Sequence, residues 1–187
     1  MSSYISVGIV ANDKEDIFMK KCVQIIKKNS MYIIRLVIKY PDDDTCTNWN
    51  ECNESIGSLN KIIEICYRNE FAEIIADYKI NAHVIKGVIV KIKKEKGKYA
   101  GILFEIPEDN FDLENEIDDL EDKIITEMKE LLNLGFEYAY CDNETDIEYS
   151  VEEILEGKEI YSILVVKENE TITSKLGSWK IDGLTDR

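Results

Sequence analysis

The sequence predicts a single α+β domain over residues 1–187, with three main helices packed on a largely antiparallel sheet. Three observations lead to this fold class. Hydrophobic residues make up 44% of the chain, which is typical of a globular protein with a real core. Short β-rich runs alternate with amphipathic helical stretches along the whole chain. The sequence contains neither an internal repeat nor a low-complexity linker that would divide it.

The individual elements follow from hydrophobic periodicity. Strands are predicted where apolar residues alternate or run together, at 4–10, 31–40, 82–94, 99–106, 136–141 and 159–166. Helices are predicted where apolar residues recur every three or four positions, at 14–28, from Ser55 or Ser58 to 68, at 111–133, and over a short stretch at 149–155. The first two strands flank a helix, which allows a parallel β-α-β opening. A polar loop is expected at 41–53, and the tail 171–187 has no clear pattern.

The most unusual property of the chain is its negative charge. It has 38 Asp and Glu against 23 Lys and Arg, a formal net charge of −15. The acidic residues are clustered: ten lie in 105–122 and seven in 142–156, and neither stretch contains a Lys or Arg. Acidic residues in a first helical turn are explained by the helix dipole, and others by solubility. A second cluster elsewhere favours an alternative, an acidic patch that imitates a phosphate backbone or covers a basic active site.

The residues that enzymes use for nucleophilic or metal chemistry do not form a recognisable set. His83 is the sole histidine and lies in a strand pattern, where a structural role is expected. Asp142, Glu144, Asp146 and Glu153 occupy positions 1, 3, 5 and 12 of a calcium-type loop. Position 6, which is glycine in an EF-hand, is Ile147 here. We therefore predict no enzyme activity, no cofactor and no metal. A catalytic pair of carboxylates remains an alternative, because among 38 acidic residues some pair will always lie close together.

Other partners and compartments are restricted by composition. Lys86, Lys91, Lys93 and the lysines at 94, 96 and 98 form the one basic cluster, but a net charge of −15 opposes the approach of nucleic acid. No run approaches the ~20 apolar residues of a membrane span, so no membrane association is expected. The first residues lack the features of a signal peptide, which favours a cytoplasmic location. Cys22 and Cys66 lie on apolar helix faces and are expected in the core. The sequence does not predict an oligomeric state.

Aromatic residues near the acidic clusters are candidate binding anchors, because Trp and Tyr dominate the energetics of interfaces. The candidates are Trp49, Trp179, Tyr138, Tyr140 and Tyr149. Each has an alternative as a core residue. Tyr138 and Tyr140 share one face of a predicted strand, so both would be buried or both exposed. Trp49 lies in a polar, acid-rich loop, which makes a core position harder to argue.

Three blocks of sequence suggest a family: 138–144 (YAYCDNE), 146–149 (DIEY) and 178–184 (SWKIDGL). With the acidic α+β character of the chain, they resemble the immunity proteins of bacterial polymorphic-toxin and contact-dependent-inhibition systems. The resemblance implies a cognate toxin domain as partner and inhibition by tight binding inside the producing cell. Many such toxins are nucleases with basic clefts, which an acidic surface would suit.

The sequence thus leads to the hypothesis of a non-enzymatic inhibitor that covers a basic toxin active site. The side chains expected to face the toxin are carboxylates and aromatics: Asp142, Glu144, Asp146, Glu148, Tyr149, Trp49, Asp42, Asp43 and Asp44. Two alternatives remain open. One is a small-ligand regulatory domain or carboxylate-based enzyme, and the other is a scaffold that associates through the helix at 111–133.

Overall fold

The computed structural model describes residues 3–12, 14–28, 30–42, 47–80, 83–95, 98–110, 120–181 and 184. In chain order the described helices and strands are β1 (Tyr4–Ala11), α1 (Glu15–Lys28), β2 (Ile33–Pro41), β3 (Trp49–Asn53), α2 (Leu59–Arg68), β4 (Glu73–Ile80), β5 (His83–Glu95), β6 (Tyr99–Pro107), α3 (Leu120–Asn133), β7 (Tyr138–Asn143), α4 (Val151–Leu155), β8 (Ile163–Glu168) and β9 (Thr171–Leu176). The chain divides into two compact units. We call Met1–Asn12 together with Lys94–Arg187 the terminal unit, and Asp13–Lys93 the inserted unit.

The inserted unit combines two amphipathic helices with antiparallel strands in the order β3-β2-β4-β5. Helix α1 begins with acidic residues and ends with Lys27 and Lys28, which is the charge order that the helix dipole favours. Helix α2 buries one stripe, formed by Leu59, Ile62, Ile63 and Cys66. The two helices contact one another, and the rings of Phe18 and Tyr67 lie 6.1 Å apart between them. This apolar helix pair accounts for the burial of Cys22 and Cys66, as predicted.

The terminal unit contains antiparallel strands in the order β6-β1-β7-β8-β9. Because successive residues of a strand point to opposite faces, the register assigns each side chain to a face. One face, which we call the Tyr138 face, carries alternate residues of β1 and their partners on both neighbouring strands. On β1 these are Ser6, Gly8 and Val10, on β6 Glu105, Leu103 and Gly101, and on β7 Asp142, Tyr140 and Tyr138. Ile147, Val151 and Ile154 pack on this face in one apolar cluster with Tyr138 and Tyr140.

The opposite face of the same strands is equally apolar. Ile5 and Ile9 of β1 and Ala139 and Cys141 of β7 point to it, and all are at most 1% exposed. Helix α3 contacts β7, β8 and β9, and none of its described side chains belongs to the apolar cluster on the Tyr138 face. We conclude that α3 covers this second face with Ile125, Met128 and Leu132, which are buried. The central strands β1, β7 and β8 are therefore buried on both faces, whereas β9 is mostly exposed.

The structure confirms the α+β class and the largely antiparallel sheet. Helices near 14–28, 59–68 and 151–155 are present, and Gly157, with φ +77°, ends the last of them in the left-handed region. The helix predicted at 111–133 is present from Leu120 onward, and its first part lies outside the described residues. No described helix has both the length and the apolar character needed to cross a bilayer.

Two local predictions were wrong. The loop expected at 41–53 ends in a strand, β3, because residues 49–53 pair with β2 from Val37 to Pro41. The parallel β-α-β opening is not formed, because β1 pairs with β6 and β7 whereas β2 pairs with β3 and β4. In addition, the tail, for which no element was predicted, contains strand β9, whose exposed polar sequence shows neither alternation nor a continuous apolar run.

Candidate functional site

The acid-rich stretch 142–149, which we call the acidic segment, leaves the end of β7 and crosses the Tyr138 face of the terminal unit. It has no regular secondary structure after Asn143. At Glu144 the backbone adopts a positive φ of 45°, which turns the chain. The Glu144 amide then donates to the carbonyl of Tyr4 at 3.0 Å, and the Thr145 amide donates to Ser6 Oγ at 3.1 Å. Both bonds attach the beginning of the segment to β1.

Three tyrosine hydroxyls fix the remaining backbone of the acidic segment. Tyr140 donates to the carbonyl of Thr145 at 3.2 Å. Tyr99 donates to the carbonyl of Ile147 at 2.9 Å, and Tyr138 to that of Tyr149 at 2.7 Å. The bonded carbonyls belong to alternate residues, as in an extended chain seen from one side. At about 1 kcal/mol net for each bond, the three contribute about 3 kcal/mol to holding this path.

These tyrosines are themselves held by stacking and burial. The rings of Tyr140 and Tyr161 are parallel within 10°, with centroids 4.1 Å apart. Gly8 provides the space beneath Tyr140, because a Cβ atom there would lie 2.1 Å from the ring atom Cε1. Burial, with the neighbouring Tyr161, raises the pKa of both Tyr138 and Tyr140 far above the usual value, so their hydroxyls stay protonated as donors.

The side chains of the acidic segment alternate between inside and outside. Ile147 is 3% exposed and belongs to the apolar cluster, and Tyr149 packs against that cluster. Glu144 and Glu148 are exposed, and Asp146 between them is half-buried. The Asp146 carboxylate accepts the Ile147 amide at 2.7 Å. A charged row therefore faces solvent while the backbone and the apolar side chains fix its position.

Helix α4 follows the segment and begins with a capping box. Ser150 Oγ accepts the Glu153 amide at 3.3 Å, and the Glu153 carboxylate accepts the Ser150 amide at 3.0 Å. Lys158 donates to the same carboxylate at 3.1 Å. The Ser150 amide, and after it Lys158, lower the pKa of Glu153. Glu153 thus terminates the acidic segment rather than serving the calcium-type loop that its spacing resembles.

Asp142 has a different position from the other acids of the segment. It is 8% exposed, and its carboxylate accepts three N–H groups. One oxygen accepts the Asn143 amide at 2.8 Å and the Trp179 indole at 3.0 Å. The other accepts the Ser162 amide at 3.0 Å. Its hydrogen bonds lie within the terminal unit, where it joins the end of β7 to the chain around Trp179.

Carboxylates from both acid-rich stretches meet in one open cleft of about 260 Å³. Tyr4 and Ser6 form part of its lining with Thr145, and the acidic residues are Glu105, Glu144 and Asp146. Glu105 is close because it pairs with Ser6, whose other cross-strand partner is Asp142. Within the described part of the chain, no three His, Cys, Asp or Glu residues are arranged to hold a metal ion.

The remaining predicted site residues belong to the inserted unit. Trp49 begins β3 opposite Pro41 and is 48% exposed. The Asp42 amide donates to the Asn48 carbonyl at 3.0 Å, and the Asp42 carboxylate accepts the Asn50 side chain. Asp42 therefore closes the β2–β3 connection. Asp43 and Asp44 lie outside the described residues.

The sequence did not predict which interactions fix the backbone of the acidic segment. Tyr138 and Tyr140 were expected as anchors or core residues, and at 0% exposure they are core residues. Their hydroxyl bonds to the acidic segment were not predicted, and Tyr99 and Gly8 were not considered. The usable signal was the pair of tyrosines two residues apart on a buried strand, since a buried tyrosine hydroxyl needs a partner.

Fixed backbone beneath exposed carboxylates, in an α+β fold, is an arrangement suited to binding another protein. Comparison of the sequence with protein families gives a more specific class, that of immunity proteins. The sequence model of the family Immunity protein 64 matches residues 1–187, and the chain belongs to this family. No curated protein and no solved structure gave a significant match.

Proposed function

We propose that this chain neutralises a cognate toxin domain by binding it and covering a basic active site with the acidic segment. Membership of an immunity protein family implies a toxin as partner and suggests a non-enzymatic role. The observation that carries the proposal is the exposure of Glu144 and Glu148 on a backbone that three tyrosine hydroxyls fix. A nuclease, whose active site binds phosphates with basic residues, is the toxin type that this surface fits best.

The fixed backbone matters because binding is weakened by the loss of conformational freedom. A flexible acidic loop would lose that freedom on binding, whereas the acidic segment is already ordered in the free protein. The carboxylates need not be the main source of affinity. Complementary charge chiefly accelerates association and selects the partner, and the net charge of −15 adds to this effect.

The predicted residues take different parts in this proposal. Glu144, Asp146 and Glu148 face the toxin, and Tyr149 at their end adds only the part of its side chain that is not packed against the apolar cluster. Asp142 acts indirectly, because its carboxylate is engaged by Trp179 and Ser162. Trp49 and the acids at 42–44 remain a predicted second contact, located in the inserted unit.

The small-ligand alternative rests on the acid-lined cleft. Its volume of about 260 Å³ is below the ~300–1,000 Å³ typical of small-molecule sites, and the cleft is open to solvent. We therefore prefer the protein inhibitor.

The test uses the cognate toxin domain, to be sought as the C-terminal domain of a large secreted protein encoded beside this chain. Its association rate is measured by stopped flow. In the variant E144K/E148K both changed residues are exposed, so neither substitution replaces a buried side chain. Four charge units are added, so the net charge becomes −11 from −15. We expect association at low ionic strength to slow by about tenfold or more, and the difference to shrink at high salt.

The matched control is E168K/E170K, which changes the net charge by the same amount. Both residues are exposed and lie around the β8–β9 turn. The β7–β8 register places that turn beyond the Tyr138 end of β7, away from Asp142. We expect its association rate to stay within about twofold of wild type. Equal rates for the two variants would remove the acidic segment from the interface.

A further inference from the structure

A tryptophan beside the acidic segment is held at the surface by a set of internal hydrogen bonds. Trp179 is 38% exposed, although it is one of the largest apolar side chains in the unit. Its indole N–H donates to Asp142 at 3.0 Å, and its carbonyl accepts Ser162 Oγ at 3.1 Å. The Ser162 amide in turn donates to Asp142 at 3.0 Å. Asp142, Ser162 and Trp179 thus form a closed group.

The partners of Trp179 are buried, so the group is rigid. Asp142 is 8% exposed and Ser162 is fully buried. On the N-terminal side, a Cβ atom at Gly177 would lie 2.8 Å from the Tyr161 carbonyl and 3.1 Å from the Trp179 ring. The absence of a side chain at Gly177 therefore lets the ring lie close to the backbone. On the C-terminal side, Ile181 is 0% exposed and anchors the chain again.

The position of Trp179 connects it to the charged surface. It is bonded to the first residue of the acidic segment, so its exposed ring lies next to the place where that segment leaves β7. An exposed ring bonded to the first residue of the acidic segment matches a partner that presents an apolar group beside a basic surface. Charge complementarity thus indicates the same occupant for both features. Buried aromatic anchors supply most of the binding energy in protein interfaces, and a side chain already held in place loses little entropy.

We propose that Trp179 is the affinity-determining anchor of the toxin interface, and that Asp142 is a positioning residue that holds it. This inference rests on the proposed function and deepens it. The acidic segment governs how fast the toxin associates, whereas Trp179 governs how slowly it dissociates.

The test is the dissociation rate of the same toxin domain from Trp179→Ala, compared with Phe71→Ala. Phe71 is a similarly exposed aromatic, at 55%, in the inserted unit. We expect Trp179→Ala to accelerate dissociation by about 30-fold, as for a hot-spot residue, with the association rate and its salt dependence unchanged. Phe71→Ala is expected to leave both rates unchanged. Dissociation of Trp179→Ala at the wild-type rate would overturn the proposal.

The role of Asp142 is tested by combining variants. Asp142→Asn is expected to accelerate dissociation, but Asp142→Asn/Trp179→Ala should dissociate no faster than Trp179→Ala alone, because Asp142 acts through the indole. Additive effects of the two changes would show a separate contact and contradict the positioning role.

A second measurement does not depend on the folding of these variants. In Trp49→Phe labelled with 5-fluorotryptophan, Trp179 gives the one ¹⁹F resonance, which is followed by NMR as unlabelled toxin domain is added. A shifted resonance with reduced solvent exposure is expected. An unchanged resonance in the saturated complex would overturn the anchor. If E144K/E148K still slowed association in that case, the proposed function would stand and the anchor alone would fail.

Discussion

Gly8→Ala tests whether the packing of Tyr140 controls the acidic segment. The new Cβ atom would lie 2.1 Å from Cε1 and 2.4 Å from Cζ of Tyr140. Carbon atoms in contact are separated by about 3.5 Å, so the ring would have to move by about 1.4 Å. The stack against Tyr161 at 4.1 Å and the hydroxyl bond to Thr145 at 3.2 Å oppose that movement.

Overpacking of a core typically destabilises a protein by about 1–3 kcal/mol, and the fixed ring favours the upper end. We therefore expect the free energy of unfolding to fall by about 3 kcal/mol. For a chain of this length this corresponds to a decrease in Tm of about 6–12 °C. Differential scanning calorimetry measures the decrease. Hydrogen exchange should also accelerate at the Glu144 and Thr145 amides, since both depend on the path that Tyr140 fixes.

The matched control is Gly57→Ala in the inserted unit. A Cβ atom there would meet Ser55 Oγ at 3.5 Å, which is ordinary contact, so we expect a change within about 1 kcal/mol. Gly8→Ala/Tyr140→Val provides the second check. Because the smaller side chain makes room for the methyl group, the double variant should be less destabilised than the sum of its single variants. A Gly8→Ala protein with the wild-type Tm would refute the reasoning.

Three further predictions concern the same unit. Tyr161 is 2% exposed, and its hydroxyl has no hydrogen-bond partner among the described residues. Tyr161→Phe should therefore raise the free energy of unfolding, measured with urea, by about 1 kcal/mol. Tyr138→Phe, which loses a hydrogen bond of 2.7 Å, should lower it by about 1 kcal/mol. Equal effects would contradict the assigned bonds. Ser150→Ala removes the cap of α4 and should cost about 1 kcal/mol, with faster exchange at the Glu153 amide as the readout. Burial raises the pKa of Tyr138, Tyr140 and Tyr161, so the unfolded chain loses these protons first once the pH exceeds about 10. The contribution of these tyrosines to the free energy of unfolding should be fully present below that pH. It should fall by about 1.4 kcal/mol per pH unit for each of the three as the pH rises towards their folded pKa values. Urea midpoints that stay constant from pH 9 to 11 would contradict this expectation.

Hydrophobic periodicity predicted the helices and strands that have one buried apolar face and one exposed polar face. Helix α2 was recognisable because Leu59, Ile63 and Cys66 repeat at helical spacing, and all three are buried. Ile62, which was not part of the predicted stripe, is buried as well. The burial of Tyr138 and Tyr140 was one of two outcomes that their alternation allowed. Strands β3 and β9 were missed because their side chains are almost all exposed, so backbone pairing with one neighbour, rather than an apolar face, defines them.

The acidic segment was identified from its charge, but the sequence could not distinguish its buried acidic residues from its exposed ones. Asp142 and Glu144 are two residues apart and chemically similar, yet one is buried among three N–H donors and the other is exposed. The difference arises from Ser162 and Trp179, which are distant along the chain. Contacts of that separation leave no local pattern, and only the fold brings them together.

The tyrosine hydroxyls bind carbonyl oxygens, and every residue type supplies a carbonyl oxygen. The course of the chain through Thr145, Ile147 and Tyr149 therefore does not require the particular acids at Glu144 and Glu148. Substitutions at these two outward positions can accumulate during evolution without disturbing the scaffold. Under the proposed function, changes at these two surface positions would alter which toxin is bound, while the buried tyrosines keep the course of the backbone.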